Sequence, residues 1–169
     1  MKKIFLLALT LVFASTVWAQ KFAFVDSEYI LNKIPSYKAA QEQINKLSEQ
    51  YQKEIEDRYT EIEKMYNEYQ AEKVLLTEDM KKKKEDAIIA KERETKDLQM
   101  KYFGRDGQVF KKREELVKPI QDQIYNAINE IATEGGYAII FDAAASPNMI
   151  YTNSRYDKSD EVLQKLGYK

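Results

Sequence analysis

From Tyr37 to Tyr69 the apolar residues fall at Tyr37, Ala40, Ile44, Leu47, Tyr51, Ile55, Tyr59, Ile62, Tyr66 and Tyr69, separated by three or four positions each time. That spacing draws a narrow seam along one helix face, mostly heptad, with a stutter between Leu47 and Tyr59. Neither Gly nor Pro interrupts Ser36–Leu76, and Glu, Lys, Gln and Arg fill the other faces. A helix of this length reaches roughly 60 Å at about 1.5 Å per residue, and its seam needs a partner helix. Thr77, followed by Glu78 and Asp79, predicts a new helix start, because the hydroxyl can cap and the acids suit the positive end of the dipole. The second stretch has a sparser seam (Met80, Ala87 or Ile88, Leu98, Tyr102), with few apolar positions between Ile89 and Leu98. Gly104 and Gly107 interrupt it with a kink, bulge or break, and the pattern recovers at Phe110, Val117, Ile120, Ile124, Ile128 and Ile131. Pro119 should kink that stretch or start a new segment.

Ser36–Leu76 and Glu78–Lys118 have equal lengths, which an antiparallel hairpin turning near Thr77 explains better than one continuous rod. Short apolar runs with strand character flank the helices: Lys21–Asp26 before them, and Tyr137–Asp142 after Gly135-Gly136. Met149–Thr152 predicts a third strand, paired as a hairpin. Ser27 and Ser159 are candidate caps of two short helices, and Gly167 closes the last one. The first strand can reach the later ones only if the middle of the chain leaves and returns. The predicted fold is therefore α+β and mainly α, with a body at 20–35 and 119–169 and a helical arm at 36–118. So thin a β core calls for association through the strands.

Ahead of this lies a different pattern. Lys2 and Lys3 precede a short apolar stretch from Ile4 to Ala14, and small residues follow, with Val17 and Ala19 fitting a cleavage site before Gln20. Residues 1–19 read as a cleaved signal peptide, too short to span a bilayer as an anchor. Without Lys2 and Lys3 the 27 basic residues become 25 against 28 acidic, a formal charge of −3. That balance offers nucleic acid no attractive field. The chain has no Cys and no His, which removes disulfides, thiolate and imidazole chemistry and the usual zinc sites together. Its carboxylates lie on solvated helix faces without pocket-forming loops, and Gly135-Gly136 is too short for a phosphate loop. The reading is a non-enzymatic protein without cofactor or metal.

The signal peptide, the Phe22-Ala-Phe-Val-Asp26 strand, the charged hairpin, Glu134-Gly-Gly-Tyr-Ala-Ile-Ile-Phe-Asp142 and the closing Tyr156-Asp-Lys-Ser-Asp-Glu-Val-Leu163 together resemble the Skp (OmpH-like) periplasmic chaperones. The glycine-to-strand junction and the final motif are the sharpest pieces. The resemblance covers the whole of 20–169 and implies one domain that assembles as a homotrimer. Strands of three subunits would form a barrel, and three hairpin arms would enclose a cavity for unfolded outer-membrane proteins, without ATP. Under that resemblance Phe22, Phe24, Val25, Ile139, Ile140 and Phe141 build the oligomer body. Some members of the family are strongly basic, whereas this chain has a pI near 5.8, so long-range attraction should contribute less.

The tyrosine stripe carries two readings. Packing accounts for most of it, with hydroxyls reaching solvent. Client contact is the other use, for which Tyr51, Tyr59, Met65, Tyr66, Tyr69 and Met80 are the candidates, Tyr66 and Tyr69 serving both. The Lys81–Lys84 run near the turn reads first as a solvated helix face, since Glu78, Asp79, Glu85 and Asp86 offset it within the screening length of about 10 Å. Membrane or lipopolysaccharide contact at the arm tip is the weaker expectation there. Against the chaperone stands an adaptor coiled coil docking on a cell-envelope machine through its tip.

Overall fold

The computed structural model describes residues 20–168, so the signal peptide expected at 1–19 lies outside the described residues. The chain divides into two compact units, one built from residues up to Lys33 together with Ile124 onward, the other from Ile34–Gln123.

In the first unit, the body, β1 (Lys21–Val25) pairs in parallel with β2 (Tyr137–Asp142). The register sets Phe22 against Ile139, Ala23 against Ile140, Phe24 against Phe141 and Val25 against Asp142, with an irregularity beside Lys21. Parallel neighbours need a long crossover, and here the whole helical middle of the chain supplies it. The other edge of β1 carries a single bridge, Phe24 to Asp157, beside a short 3₁₀ turn at Ser154–Tyr156. The predicted third strand does not form. Two successive turns, closed by Ser146 N to Ala143 O (3.4 Å) and Met149 N to Ser146 O (3.0 Å), use up the link after β2. They carry the next segment off instead of folding it back, and Ile150 and Tyr151 stay 98% and 82% exposed. Apolar alternation marks a segment able to pair, but the turn chemistry decides whether a partner is within reach.

Two short helices, α1 (Ser27–Lys33) and α5 (Ser159–Lys165), pack on each other and bury Ile30, Val162 and Leu163. Neither predicted serine acts as the cap. Asp26 Oδ1 accepts from Tyr29 N at 2.8 Å, taking the capping role at α1, while Asp157 Oδ1 accepts from Ser159 N at 2.9 Å. The serines are free to tie distant segments together. Ser27 Oγ donates to Asp142 at 2.7 Å, and Ser159 Oγ, almost fully buried, accepts from Asp26 N at 2.8 Å. Gly136 and Gly167, at φ +64° and +85°, adopt the left-handed conformation that ends a helix, as the sequence predicts.

The second unit is the arm. Its helix α2 (Pro35–Glu72) stops short of the predicted Leu76, and a turn leads to α3 (Glu78–Phe103). Thr77 caps α3 as expected, its hydroxyl accepting from Met80 N at 3.4 Å. The glycines do break the return path. Gly104 N closes α3 on Met100 O at 2.8 Å, and a Cβ at Gly104 would stand 2.3 Å from that same carbonyl. Helix α4 (Gln108–Gly135) then carries the chain onward into the body. Pro119 starts no new element. Its neighbours Val117, Ile120 and Ile124 are all buried, and that packing holds the helix across the missing N–H.

Candidate functional site

Contacts across the arm run as antiparallel rungs. Glu72 pairs with Lys84 at 2.6 Å and Glu61 with Lys91 at 3.1 Å, while Tyr102 donates to Glu54 at 2.7 Å and Tyr51 to Gln108. Positions descending along α2 thus meet positions ascending along the return. Between the rungs the predicted seam is buried at Ala40, Ile44, Ile55, Ile62 and Tyr69, and opposite them at Ile88, Tyr102, Val117 and Ile120. Ile62, Tyr69 and Ile88 form one cluster, with Met65 and Leu76 packed against it.

The six predicted client residues fall into two sets. Tyr51, Met65 and Tyr69 belong to the packing. The Tyr51 ring stacks on Tyr102 at 3.7 Å, with planes nearly parallel at 6°, and meets Phe103 edge-on at 6.4 Å. Tyr69, 3% exposed, donates to Glu85, and that carboxylate holds its phenol pKa up to about 12. The Tyr102–Glu54 bond acts the same way, raising the phenol and, with Arg58 assisting, lowering the Glu54 carboxyl. Tyr59, Tyr66 and Met80 instead face solvent at 42%, 52% and 48% exposure. Of the two tyrosines expected to serve both uses, Tyr66 lies outside the packing and Tyr69 within it.

In the body the strands turn Ala23 and Val25 inward, leave Phe24 and Ile140 half-buried, and leave Phe22, Ile139 and Phe141 exposed. Beside them opens a groove of about 800 Å³, lined among others by Phe22, Phe24, Tyr137, Phe141, Tyr151 and Tyr156. Lys158 lies 5.6 Å over the Tyr137 ring, and Glu161, aided by Tyr137, raises its pKa. Among the described residues no group of three or more acidic side chains comes together as a metal site would require, and no helix is long and apolar enough to cross a membrane.

Several residues escaped the sequence reading. Val74 and Leu75 stand 93% and 86% exposed in the turn of the hairpin, where the helical pattern had been extended through them. Thr95 is wholly buried, its hydroxyl donating back to Lys91 O at 2.8 Å. It falls seven residues from both Ile88 and Tyr102, so a heptad count that admitted a threonine would have found it.

Comparison with known proteins places this architecture. A family model described as outer membrane protein (OmpH-like) matches residues 21–166. The chain is 26% identical to a chaperone protein Skp of Yersinia enterocolitica, over 95% of this chain and 94% of that one. It is 27% identical to an uncharacterized protein of Aquifex aeolicus (strain VF5), over 98% and 96% of the two chains. A crystal structure of a candidate outer membrane chaperone (OmpH-like) from Caulobacter crescentus CB15 superposes with a TM-score of 0.66, at 14% identity, covering 88% of this chain and 84% of that one. The chain belongs to the OmpH-like outer membrane protein family.

Proposed function

We propose that this protein is an ATP-independent periplasmic holdase, a homotrimer that binds unfolded outer-membrane proteins and keeps them from aggregating. The observation that carries the reading is apolar surface left open in both units of the chain. In the body it is the Phe22, Ile139 and Phe141 face, each residue between 44% and 47% exposed, with Tyr151 lining the same groove as Phe22 and Phe141. A patch of that kind on so small a sheet calls for association, and β-pairing between copies would also occupy the free edge of β2. In the arm it is Tyr59, Tyr66 and Met80, which project from helices already packed through their inner seam. Side chains of this type hold irregular partners through many weak contacts. The expected signal peptide, and relatives named as chaperones, favour the periplasm as the place of action.

Trp18 is the only tryptophan and would leave with the signal peptide, so the mature protein does not emit in that channel. A urea-unfolded, tryptophan-bearing barrel protein is diluted into buffer with increasing amounts of the mature chain. Suppressed light scattering with blue-shifted client emission, saturating near one client per trimer, is the expected result. Unchanged aggregation at excess protein rejects the holdase, and a concentration-independent monomer mass in sedimentation rejects the trimer.

The exposure of Val74 and Leu75 favours a second reading, an adaptor that docks on one folded envelope partner through its tip. Lipid or lipopolysaccharide contact would use the same place. There Lys81 and Lys84 are engaged by Glu78 and Glu72, while Lys73, Lys82 and Lys83 enter no ion pair among the described residues. Serine at both Val74 and Leu75 should abolish adaptor or vesicle binding while leaving aggregation suppression intact.

A further inference from the structure

The middle of α3 inverts the usual order of residues. Its inward positions are Ile88, Thr95 and Tyr102, so a hydroxyl occupies the centre of the seam at 0% exposure. Over the same span Ile89, Met100 and Phe103 point outward, at 60%, 70% and 40% exposure. Selection for arm stability alone would favour the reverse, an aliphatic at 95 and polar residues at 89 and 100. Such local conflicts mark places where another requirement has prevailed.

The outward residues form a single surface. Ile89, Arg93, Lys96, Met100 and Phe103 succeed one another at steps of four and three, all exposed, in a stripe about 21 Å long at about 1.5 Å per residue. The alkyl stems of Arg93 and Lys96 can bridge Ile89 and Met100 in one apolar track. Lys84 and Lys91 of the same helix are held by Glu72 and Glu61, whereas Arg93 and Lys96 enter no ion pair among the described residues. The Phe103 end is different: it borders a shallow groove whose α2 wall carries Glu49, Glu56 and Asp57 beside Lys53. Glu92 and Asp97, both exposed, stand four positions from Lys96 and Arg93 and flank the stripe, so its cationic character is confined to the line through those two side chains.

We propose that this stripe is where the arm takes unfolded polypeptide, in extended segments whose apolar side chains alternate with carboxylates. The proposal rests on the holdase reading and names the place and class of contact. An extended chain covers the stripe with about six residues at about 3.3 Å each, its apolar side meeting Ile89 and Met100 and its acids meeting Arg93 and Lys96. A second copy of the chain fits poorly, because a two-fold pairing would bring Arg93 and Lys96 against their own equivalents. An anionic bilayer is usually held by clusters of about four to eight basic residues, and this stripe offers two.

The test uses the mature chain with the photo-crosslinker p-benzoylphenylalanine in place of Ile89, and a control with it at Glu94, which lies outside the stripe. Crosslinking to a urea-unfolded barrel protein from position 89, and little from 94, is expected. Replacing Ile89 and Met100 together by serine, and leaving Phe103 in its edge-on contact with Tyr51, should weaken client affinity about tenfold with no loss of thermal stability. A second variant, R93Q with K96Q, should lose binding of an alternating leucine–glutamate peptide and spare its leucine–lysine counterpart. Equal crosslinking from both positions, or unchanged affinity in both variants, overturns the stripe while aggregation suppression still upholds the holdase. If the wild-type chain fails to suppress aggregation, the holdase reading falls and takes the stripe with it. Crosslinks found only between copies, or only to phosphatidylglycerol vesicles, assign the face to those occupants and overturn the proposal.

Discussion

In the body, residues more than a hundred positions apart meet through one short sheet, one pair of short helices and a few polar bonds, whereas in the arm an inner seam repeats the same kind of contact rung after rung. Lys21 reaches the carbonyl of Gly135 at 3.1 Å, Asp26 N reaches Ser159, Ser27 reaches Asp142, and Tyr29 donates to Asp160 at 2.9 Å. The arm has no comparable dependence on any one bond, since its rungs follow one another along a shared apolar seam. The difference predicts contrasting failure. The body should respond sharply to single substitutions, because a long loop has to be closed before its contacts form. The arm should soften locally and keep its length.

The largest test of that contrast is Ile30→Ala. Ile30 is fully buried where α1 meets α5, and emptying such a site costs about 3 kcal/mol. Urea unfolding should show the loss, and hydrogen exchange should place it in the body amides while the arm stays protected. Equal deprotection of both units would make them one cooperative block and end the contrast. A smaller effect is expected from Ser159→Ala, which removes the acceptor of Asp26 N and one donor to Asp157. An unsatisfied buried amide costs about 1–2 kcal/mol. Threonine at 159 keeps the hydroxyl and should restore part of the loss in the same urea titration.

Much of the arm was legible in the sequence because its contacts recur with the helix period. Ala40, Ile44, Ile55, Ile62 and Tyr69 could be placed on one face by counting, and Thr77 announced its own helix. The body was legible only in part. Its two paired strands showed as apolar runs, but nothing local could say that Ser27 and Ser159 would bind across the fold while Asp26 and Asp157 took the local bonds. The third strand failed for the same kind of reason. A segment's wish to pair is written in its own residues, and its partner is not. Among the candidate contact residues, sequence could identify the tyrosine stripe but could not sort it. Whether Tyr66 or Tyr69 faces the partner helix depends on a few tens of degrees of rotation, which a stutter in the heptad is enough to shift.

Alkaline titration sharpens the picture of the arm's rungs. Glu85 raises the Tyr69 phenol from the ordinary 10.0 to about 12, so the neutral phenol is favoured in the folded arm. The sign follows directly. The stabilisation is complete below pH 10 and is lost as pH rises toward about 12. Tyrosinate absorbance at 295 nm should therefore show a late-titrating fraction that Glu85→Gln reduces, since Glu54 and Asp160 still raise Tyr102 and Tyr29. Helical signal followed in parallel should fall over that same window in the wild type, and a single unshifted tyrosine titration would remove Tyr69–Glu85 as a rung.

The smallest expected effect is also the most discriminating, because it separates what the arm needs for itself from what its outer face could be doing. Thr95→Val replaces a buried hydroxyl by a methyl, at a position where the hydroxyl only returns to Lys91 O. That carbonyl keeps its helical bond, so the exchange trades a redundant hydrogen bond for apolar burial and should stabilise the arm by about 1 kcal/mol. Thermal melting would register it, and exchange at the amides around position 95 would slow. The outward residues Ile89, Met100 and Phe103 are untouched by the change, so a client held by that stripe should bind with unaltered affinity. If binding weakens as the arm stiffens, the buried threonine is there to let the arm bend, and the contact energy is spread over a moving helix rather than a fixed line. If stability and binding are both unchanged, the buried hydroxyl costs the arm nothing, and a threonine at the centre of the seam no longer marks a place where another requirement has prevailed over packing.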